Sequence, residues 1–258
     1  MSSPPYVELH VRSAFSFLRG GSLPERLAER AAELGYGALA LGDRMGVYGA
    51  PRFRVTAKEV GLRPIYGAEL AMEDGSVLPV LVENRMGYQH LCELLTRAHL
   101  RASKGEGVVR WEELTEFAEG LVALTGGGEG PVITALKSEG QIPKAEGNPK
   151  SEIRKSATTS SSTIPEPEAR LSSDLGLRNS VFPRTTEMLG RLVATFGPRA
   201  VFIEIQRHHR RGEERINRAL IELGQAHKLP LLATNGVLHA TPEGRQVADV
   251  FTLSLIHI

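Results

Sequence analysis

Four polar side chains crowd one short stretch of this sequence: His10, Arg12, Ser13 and Arg19 all lie in YVELHVRSAFSFLRGG, residues 6–21. An imidazole serves near neutral pH as acid, base or metal ligand, and a guanidinium is a permanent cation with a planar fork of donors. Such groups make a site only if the backbone gathers them. The reading here is a short strand, Tyr6-Val7-Glu8-Leu9, delivering them to the Gly20-Gly21 turn just before a helix. Strands of α/β barrels and open α/β sheets present their chemistry at such ends. Comparable polar ends recur at Gly42-Asp43-Arg44, Gly67-Ala68-Glu69, Gln206-Arg207-His208-His209 and Thr234-Asn235-Gly236.

The elements that must position these residues follow a βα rhythm. Ser22 reads as an N-cap with Glu25 completing a capping box, opening a helix with Leu27, Ala31 and Leu34 on one face. Strands are expected at residues 38–41, from 64, and at 77–82, 120–125, 200–205 and 229–233. Helices are expected near 50–60 (burying Phe53, Ala57 and Val60), 85–102 (burying Tyr88, Leu91, Leu95 and Ala98), 111–118, from 131, from 184, 213–227 and after Pro242. Alternation of this kind predicts an α/β chain with a parallel sheet.

Composition narrows the function classes. The 258 residues carry a formal net charge of +1, so no overall field draws the chain to nucleic acid or membrane. The single cysteine, Cys92, excludes an internal disulfide and fits a reducing cytoplasm. No apolar run is long enough to span a bilayer, and a cytoplasmic location is expected.

The domain reading is one unit in two parts, residues 1–137 and 184–252. They are separated by a segment, 138–183, rich in Ser, Thr, Pro, Lys and Glu and almost without large apolar residues, which is expected to be a disordered insertion. The last six residues, LSLIHI, fit neither helix nor linker chemistry and resemble an adaptor sequence translated in frame. The expectation is that 253–258 are non-native and that the natural chain continues after about Thr252.

Read together, ELHVRSAFSFLRGG, ALALGDRMGVYGAPRF and GLRPIYGAEL resemble the opening motifs of the polymerase and histidinol phosphatase (PHP) domain that begins C-family bacterial DNA polymerases. LPVLVENRMGYQHLCELLTRA, GLVALTGGGEGP, FIEIQRHHRRGEERIN and PLLATNGVLHATPEGRQVADV resemble its later segments, in order. FSFLRGGS and LVENRMGYQHLCELLTRA are most similar to the error-prone branch, which serves damage-induced translesion synthesis. The resemblance implies a distorted, seven-stranded βα barrel with a metal cluster at the carboxyl ends of its strands. It also implies polymerase domains C-terminal to this region, using Mg2+ and residues absent here. The implied partners are the remainder of the polymerase chain, DNA through the full-length protein, and other replication or mutagenesis proteins; no membrane is implied.

Set against the family pattern, the implied metal site is degenerate. His10 stands at the first position of the His-x-His pair, but Arg12 stands at the second. Arg19 replaces an acidic residue or His, and Asp43-Arg44 replaces Asp-His. Glu69 matches the bridging Glu. Val77 falls near a ligand position, Gly127 stands where a Cys belongs, and Gly236 and Leu238 stand where Asp-x-His belongs, with His239 one residue out of register. His10, Asp43 and Glu69 are the vestigial metal candidates, and Zn2+ or Mn2+ enters only if that remnant binds, at a site sketched from His10, Glu69 and a shifted His239. Arginine cannot coordinate a cation, so Arg12, Arg19 and Arg44 are expected to face Asp43 and Glu69 as an ion-pair network in place of the metals. The alternative is that these arginines point to solvent.

Residues 207–211, Arg-His-His-Arg-Arg, read either as a phosphate contact through Arg207 and His208 or as a solvated loop. Gly126-Gly127-Gly128 lacks the Lys-Ser or Lys-Thr of a P-loop and reads as a turn. Cys92 reads as core; His90 and His99 read as helix surface. The leading function is a non-catalytic structural and interaction module of an error-prone DNA polymerase. The alternatives are a metal-dependent phosphoesterase or 3′–5′ exonuclease, which needs a nearly complete His/Asp/Glu/Cys set, and a scaffold for polymerase accessory proteins.

Overall fold

Alternating apolar residues with a period of two commit the short runs of this chain to strands, because successive side chains leave a pleated backbone on opposite faces. The computed structural model describes residues 6–139 and 183–256. Six strands make one sheet in sequence order: β1 (Ala38–Arg44), β2 (Arg63–Ala71), β3 (Val77–Val82), β4 (Leu121–Leu124), β5 (Val201–Gln206) and β6 (Leu231–Thr234). Eight helices accompany them in the described residues: α1 (Pro24–Glu33), α2 (Ala50–Glu59), α3 (Arg85–Arg101), α4 (Trp111–Phe117), α5 (Pro131–Ser138), α6 (Pro183–Phe196), α7 (Glu213–His227) and α8 (Pro242–Ile256).

The sheet is mixed, which corrects the expectation of a parallel one. β1 with β2, β4 with β5, and β5 with β6 are parallel, whereas β3 runs antiparallel to both β2 and β4. Only residues 72–76 separate β2 from β3, too few for the crossover a parallel pair needs. They form a hairpin around Gly75, whose φ is +80°, with Asp74 accepting from the amide and hydroxyl of Ser76. Between β3 and β4 two helices replace one, returning the chain to the end it left.

The seventh strand is a pair of bridges. The N-terminal segment touches β1 through Glu8 and Leu39, and the chain beyond β6 through Val11 and Val237. Backbone bonds run Ala40 N to Glu8 O and Gly42 N to Val11 O on one side, Arg12 N to Val237 O and Val237 N to His10 O on the other. The segment thus closes the curled sheet into a barrel, with its pairing at residues 8–12, later than the expected strand at 6–9.

Inside the barrel sits a small apolar plug of Ala40, Leu81 and Leu124, with Leu9, Ile65, Phe202 and Leu232 packed against it. The larger core lies between sheet and helices, where Leu70, Leu78, Leu91, Leu94, Trp111, Leu189 and Leu192 are buried; a second forms around Leu27, Leu39 and Phe53 beneath α1 and α2. Two helix readings need correction. Val60 and Leu34, at helix ends, are exposed, and so is Tyr88. The capping box at Ser22 is absent: Leu23 is the N-cap, and the Ser22 hydroxyl accepts from Ala240 N at 2.9 Å while Glu25 pairs with Arg52.

Most of the segment expected to be disordered, 138–183, lies outside the described residues, but its two ends are placed. Ser138 closes α5 and Pro183 opens α6. The Glu139 carboxylate accepts from the amides of Arg184 and Thr185 and from the Thr185 hydroxyl, capping α6 across the sequence gap. At the other terminus α8 extends to Ile256, so residues expected to fit no helix are helical that far, and 257–258 lie outside the described residues.

Candidate functional site

Above the apolar plug the barrel interior turns polar, and the pleat explains why. On β5, Phe202, Glu204 and Gln206 share one face; on β2, Ile65, Gly67 and Glu69 do. The first residue of each series packs in the plug, and the later ones reach the mouth. Gly67 has to be glycine, since a Cβ there would stand 2.3 Å from the Val80 carbonyl oxygen on β3.

His10 is the centre of this layer. Its ring is 3% exposed and lies between two carboxylates, Nδ1 2.6 Å from Glu204 Oε1 and Nε2 2.6 Å from Glu69 Oε1. Both nitrogens can donate only when the ring is a doubly protonated imidazolium. Burial opposes that charge, but Glu204 and Glu69 prevail and raise the His10 pKa to about 10. Burial likewise works to raise Glu69, yet the hydrogen bond from His10 and the Arg12 charge hold it down at about 2. Glu204 is also lowered against its burial, by His10, Thr234 and Gln206. Its Oε1 accepts from Gln206 Nε2 at 2.8 Å and from the Thr234 hydroxyl. Glu8 braces the strand from behind, accepting from His10 N, Asn235 N and the Tyr6 hydroxyl.

The arginines form the next layer. Arg12 Nε donates to Glu69 Oε1 at 2.6 Å. Arg19 and Arg44 do not pair with Asp43 or Glu69 as expected. Their ion pairs run to Glu129, at 3.0 Å from Arg19 NH1 and 3.8 Å from Arg44 NH1, with Arg12 NH2 at 4.0 Å. Burial and the neighbouring Arg19 charge depress the Arg44 pKa. Asp43 stands apart from this network. Its oxygens accept from Ser13 N at 2.7 Å, Ser13 Oγ at 2.8 Å and Ser16 Oγ at 2.7 Å. Burial raises its pKa, against those serine bonds. It therefore clasps the turn that carries Arg19.

A cavity of about 820 Å³ opens over this centre, lined among others by His10, Arg12, Glu69, Glu129, His208 and Arg210. His239 also lines it, but makes no three-membered ligand group with His10 and Glu69. His208 is engaged through its amide and both ring nitrogens: the amide and Nδ1 meet Glu213 at 2.7 and 3.2 Å, and Nε2 lies 2.8 Å from Asn235 O. Arg207 beside it is exposed. His99, read as surface, is half-buried with Nε2 2.7 Å from Met45 O, and Cys92 is half-buried.

The PHP domain family matches residues 8–208, which is most of the chain. The chain belongs to the PHP-domain family. It is 32% identical to the error-prone DNA polymerase of Symbiobacterium thermophilum and 34% identical to that of Mycolicibacterium paratuberculosis, each over 96% of this chain and 20% of the relative. The error-prone DNA polymerase of Pseudomonas fluorescens is 46% identical over 48% of this chain and 12% of its own length. The chain thus spans about a fifth of the length of the relatives it matches throughout. Among solved structures, a protein assigned as a metal-dependent phosphoesterase from Bifidobacterium adolescentis superposes at a TM-score of 0.47 with 14% identity, covering 97% of this chain and 98% of its own.

A PHP domain implies metal ligands, and the groups present do not suit a divalent cation. His10 has no free ring nitrogen, and Glu69 Oε1 is already paired with both Arg12 and His10. The Gln206 amide lies close over two glycines: a Cβ on Gly127 would lie 2.6 Å from its Oε1, and one on Gly236 2.9 Å from its Nε2. Among the described residues no group of three or more His, Cys, Asp or Glu is arranged to hold a metal ion. Reading the sequence missed Glu204, Gln206 and Glu129. A lone Glu in the apolar strand VFIEIQ was a usable signal, because burying a carboxylate is costly unless a cation meets it.

Proposed function

We propose that this chain is the N-terminal PHP region of an error-prone DNA polymerase of damage-induced translesion synthesis, and that within it the PHP barrel is a non-catalytic structural and interaction module. The observation that carries this reading is the saturated imidazole: His10 sits between Glu69 and Glu204 with Arg12 on the same Glu69 oxygen. Protein cations fill the electrostatic role of bound metals there, and His10 holds a proton where a metal-binding histidine offers a lone pair. The polymerase relatives support the setting. In that setting the protein is cytoplasmic, nucleotidyl transfer with Mg2+ belongs to domains following this region, and its partners are those domains, DNA, and replication or mutagenesis proteins.

A second reading, a metal-dependent phosphoesterase or 3′–5′ exonuclease, is favoured by one feature. Glu69 Oε2 and Glu204 Oε2 are buried carboxylate oxygens without a hydrogen-bond partner, close to a large cavity. One assay separates the two readings. The purified chain is loaded with Mn2+ or Zn2+, dialysed, analysed for metal by mass spectrometry, and tested on a model phosphodiester. The module reading expects no stoichiometric metal and no turnover; metal at one or more ions per chain with chelator-sensitive hydrolysis would establish the enzyme instead.

A further inference from the structure

Residues 207–212 join β5 to α7 at the rim of the mouth cavity, and they concentrate positive charge that the ion-pair network leaves unused. Arg207, His209, Arg210 and Arg211 are all exposed, and no carboxylate among the described residues pairs with the three arginines. The loop is nevertheless built. Glu213 accepts from His208 N and Arg210 N, and His208 ties the loop to Asn235 O, directly after β6. His209 and Gly212 take left-handed backbone conformations, with φ of +56° and +83°, which fan the intervening side chains outward. Glu213 is turned onto the loop and offsets one of its charges, and Glu214 lies 4.0 Å from Arg218, so the three arginines leave the loop net positive.

A flexible, solvated arginine run spends its affinity on ordering; a braced one does not. Arginine forks match phosphate oxygens, and unpaired arginines held along a rim recognise successive phosphates of a strand. We propose that the 207–211 loop is a contact surface for the phosphodiester backbone of a single nucleic-acid strand, with Arg207, Arg210 and Arg211 as the phosphate ligands and His208 with Glu213 as the brace that positions them. This moves the phosphate contact off His208, whose two ring nitrogens are both engaged. The choice of DNA as probe rests on the polymerase reading; the surface itself rests on the loop.

The test is fluorescence anisotropy of a labelled single-stranded 20-mer with the 258-residue chain, titrated at several salt concentrations. The triple variant R207Q/R210Q/R211Q is compared with R26Q/R30Q/R63Q, which removes the same charge from elsewhere on the surface. The loop variant should bind at least tenfold more weakly at low salt. The slope of log affinity against log salt should fall by about 2, since each phosphate contact to a single strand contributes roughly 0.7. The control variant should bind like the parent, and all three should melt together. The proposal is overturned if the parent does not bind the strand, or if the control loses as much affinity as the loop variant. Primer extension by a longer protein containing the following domains tests the polymerase reading separately, and none of these binding results alters it.

Discussion

His10 is held as a cation in a nearly dry site by two carboxylates, and each of those depends on it in turn. Removing Glu69 leaves His10 with Glu204 alone and Arg12 with only Glu129 at 4.0 Å, so Glu69→Ala should cost on the order of 3–5 kcal/mol, the range for breaking a buried pair. That corresponds to a fall in Tm of about 10 °C for a chain of this size, and an unchanged melting curve in a thermal scan would count against the network. The pH dependence has two edges. His10 is raised, so its contribution is complete below the ordinary histidine value of 6.5 and is lost as pH rises through about 10. Glu69 is lowered, so its contribution is complete above 4.5 and is lost as pH falls through about 2. Chemical denaturation across that range should give a broad plateau with both edges. In Glu69→Ala the alkaline edge should move to lower pH, because one of the two carboxylates that raise His10 is gone. Of this centre, the resemblance to the PHP pattern singled out His10, Arg12 and Glu69. Glu129 was not legible, because a Glu in a glycine-rich turn carries no periodicity to say which way it faces.

At the scale of elements, the strands and helices followed from apolar periodicity and turn residues, but strand direction did not. The Asp74-Gly75 pair in ELAMEDGSVLPV is a hairpin signal, and weighing it above the βα rhythm gives the antiparallel β3 directly. The Ser22 cap failed for a tertiary reason: Ala240 N takes the hydroxyl, so a local preference yielded to a distant amide. Asp43 illustrates the converse. Its type pointed to a metal or an arginine, whereas two serine hydroxyls and an amide from the 13–16 turn satisfy it. The tightest constraint between elements is Gly67, where β2 and β3 approach. Gly67→Ala should destabilise by about 1–3 kcal/mol or more, since backbone must move to admit the methyl. A denaturant midpoint equal to that of the parent would show that the strands separate more easily than this contact allows.

The whole molecule is a barrel closed by its own N-terminal segment and stitched across the sequence gap by Glu139 and the β4–β5 pairing. Because Glu139 reaches Thr185 directly, a linker of a few Gly and Ser residues in place of 140–182 should span the gap. It should stabilise the chain in urea unfolding by about 2 kcal/mol, since each halving of loop length returns roughly 0.6 kcal/mol of closure entropy. A large loss of stability would mean that the replaced residues hold the barrel together. The βα content was legible from periodicity; the mixed sheet and closure by bridges were not, because both depend on pairings between distant residues. The central claim is that a protonated histidine and its carboxylates stand where a PHP barrel would hold metal, and nitrogen-15 NMR of the His10 ring reads that directly. The account predicts two protonated ring nitrogens through pH 9, unchanged by added Zn2+ or Mn2+; a neutral ring near pH 8, or one nitrogen shifted by stoichiometric Zn2+, would contradict it.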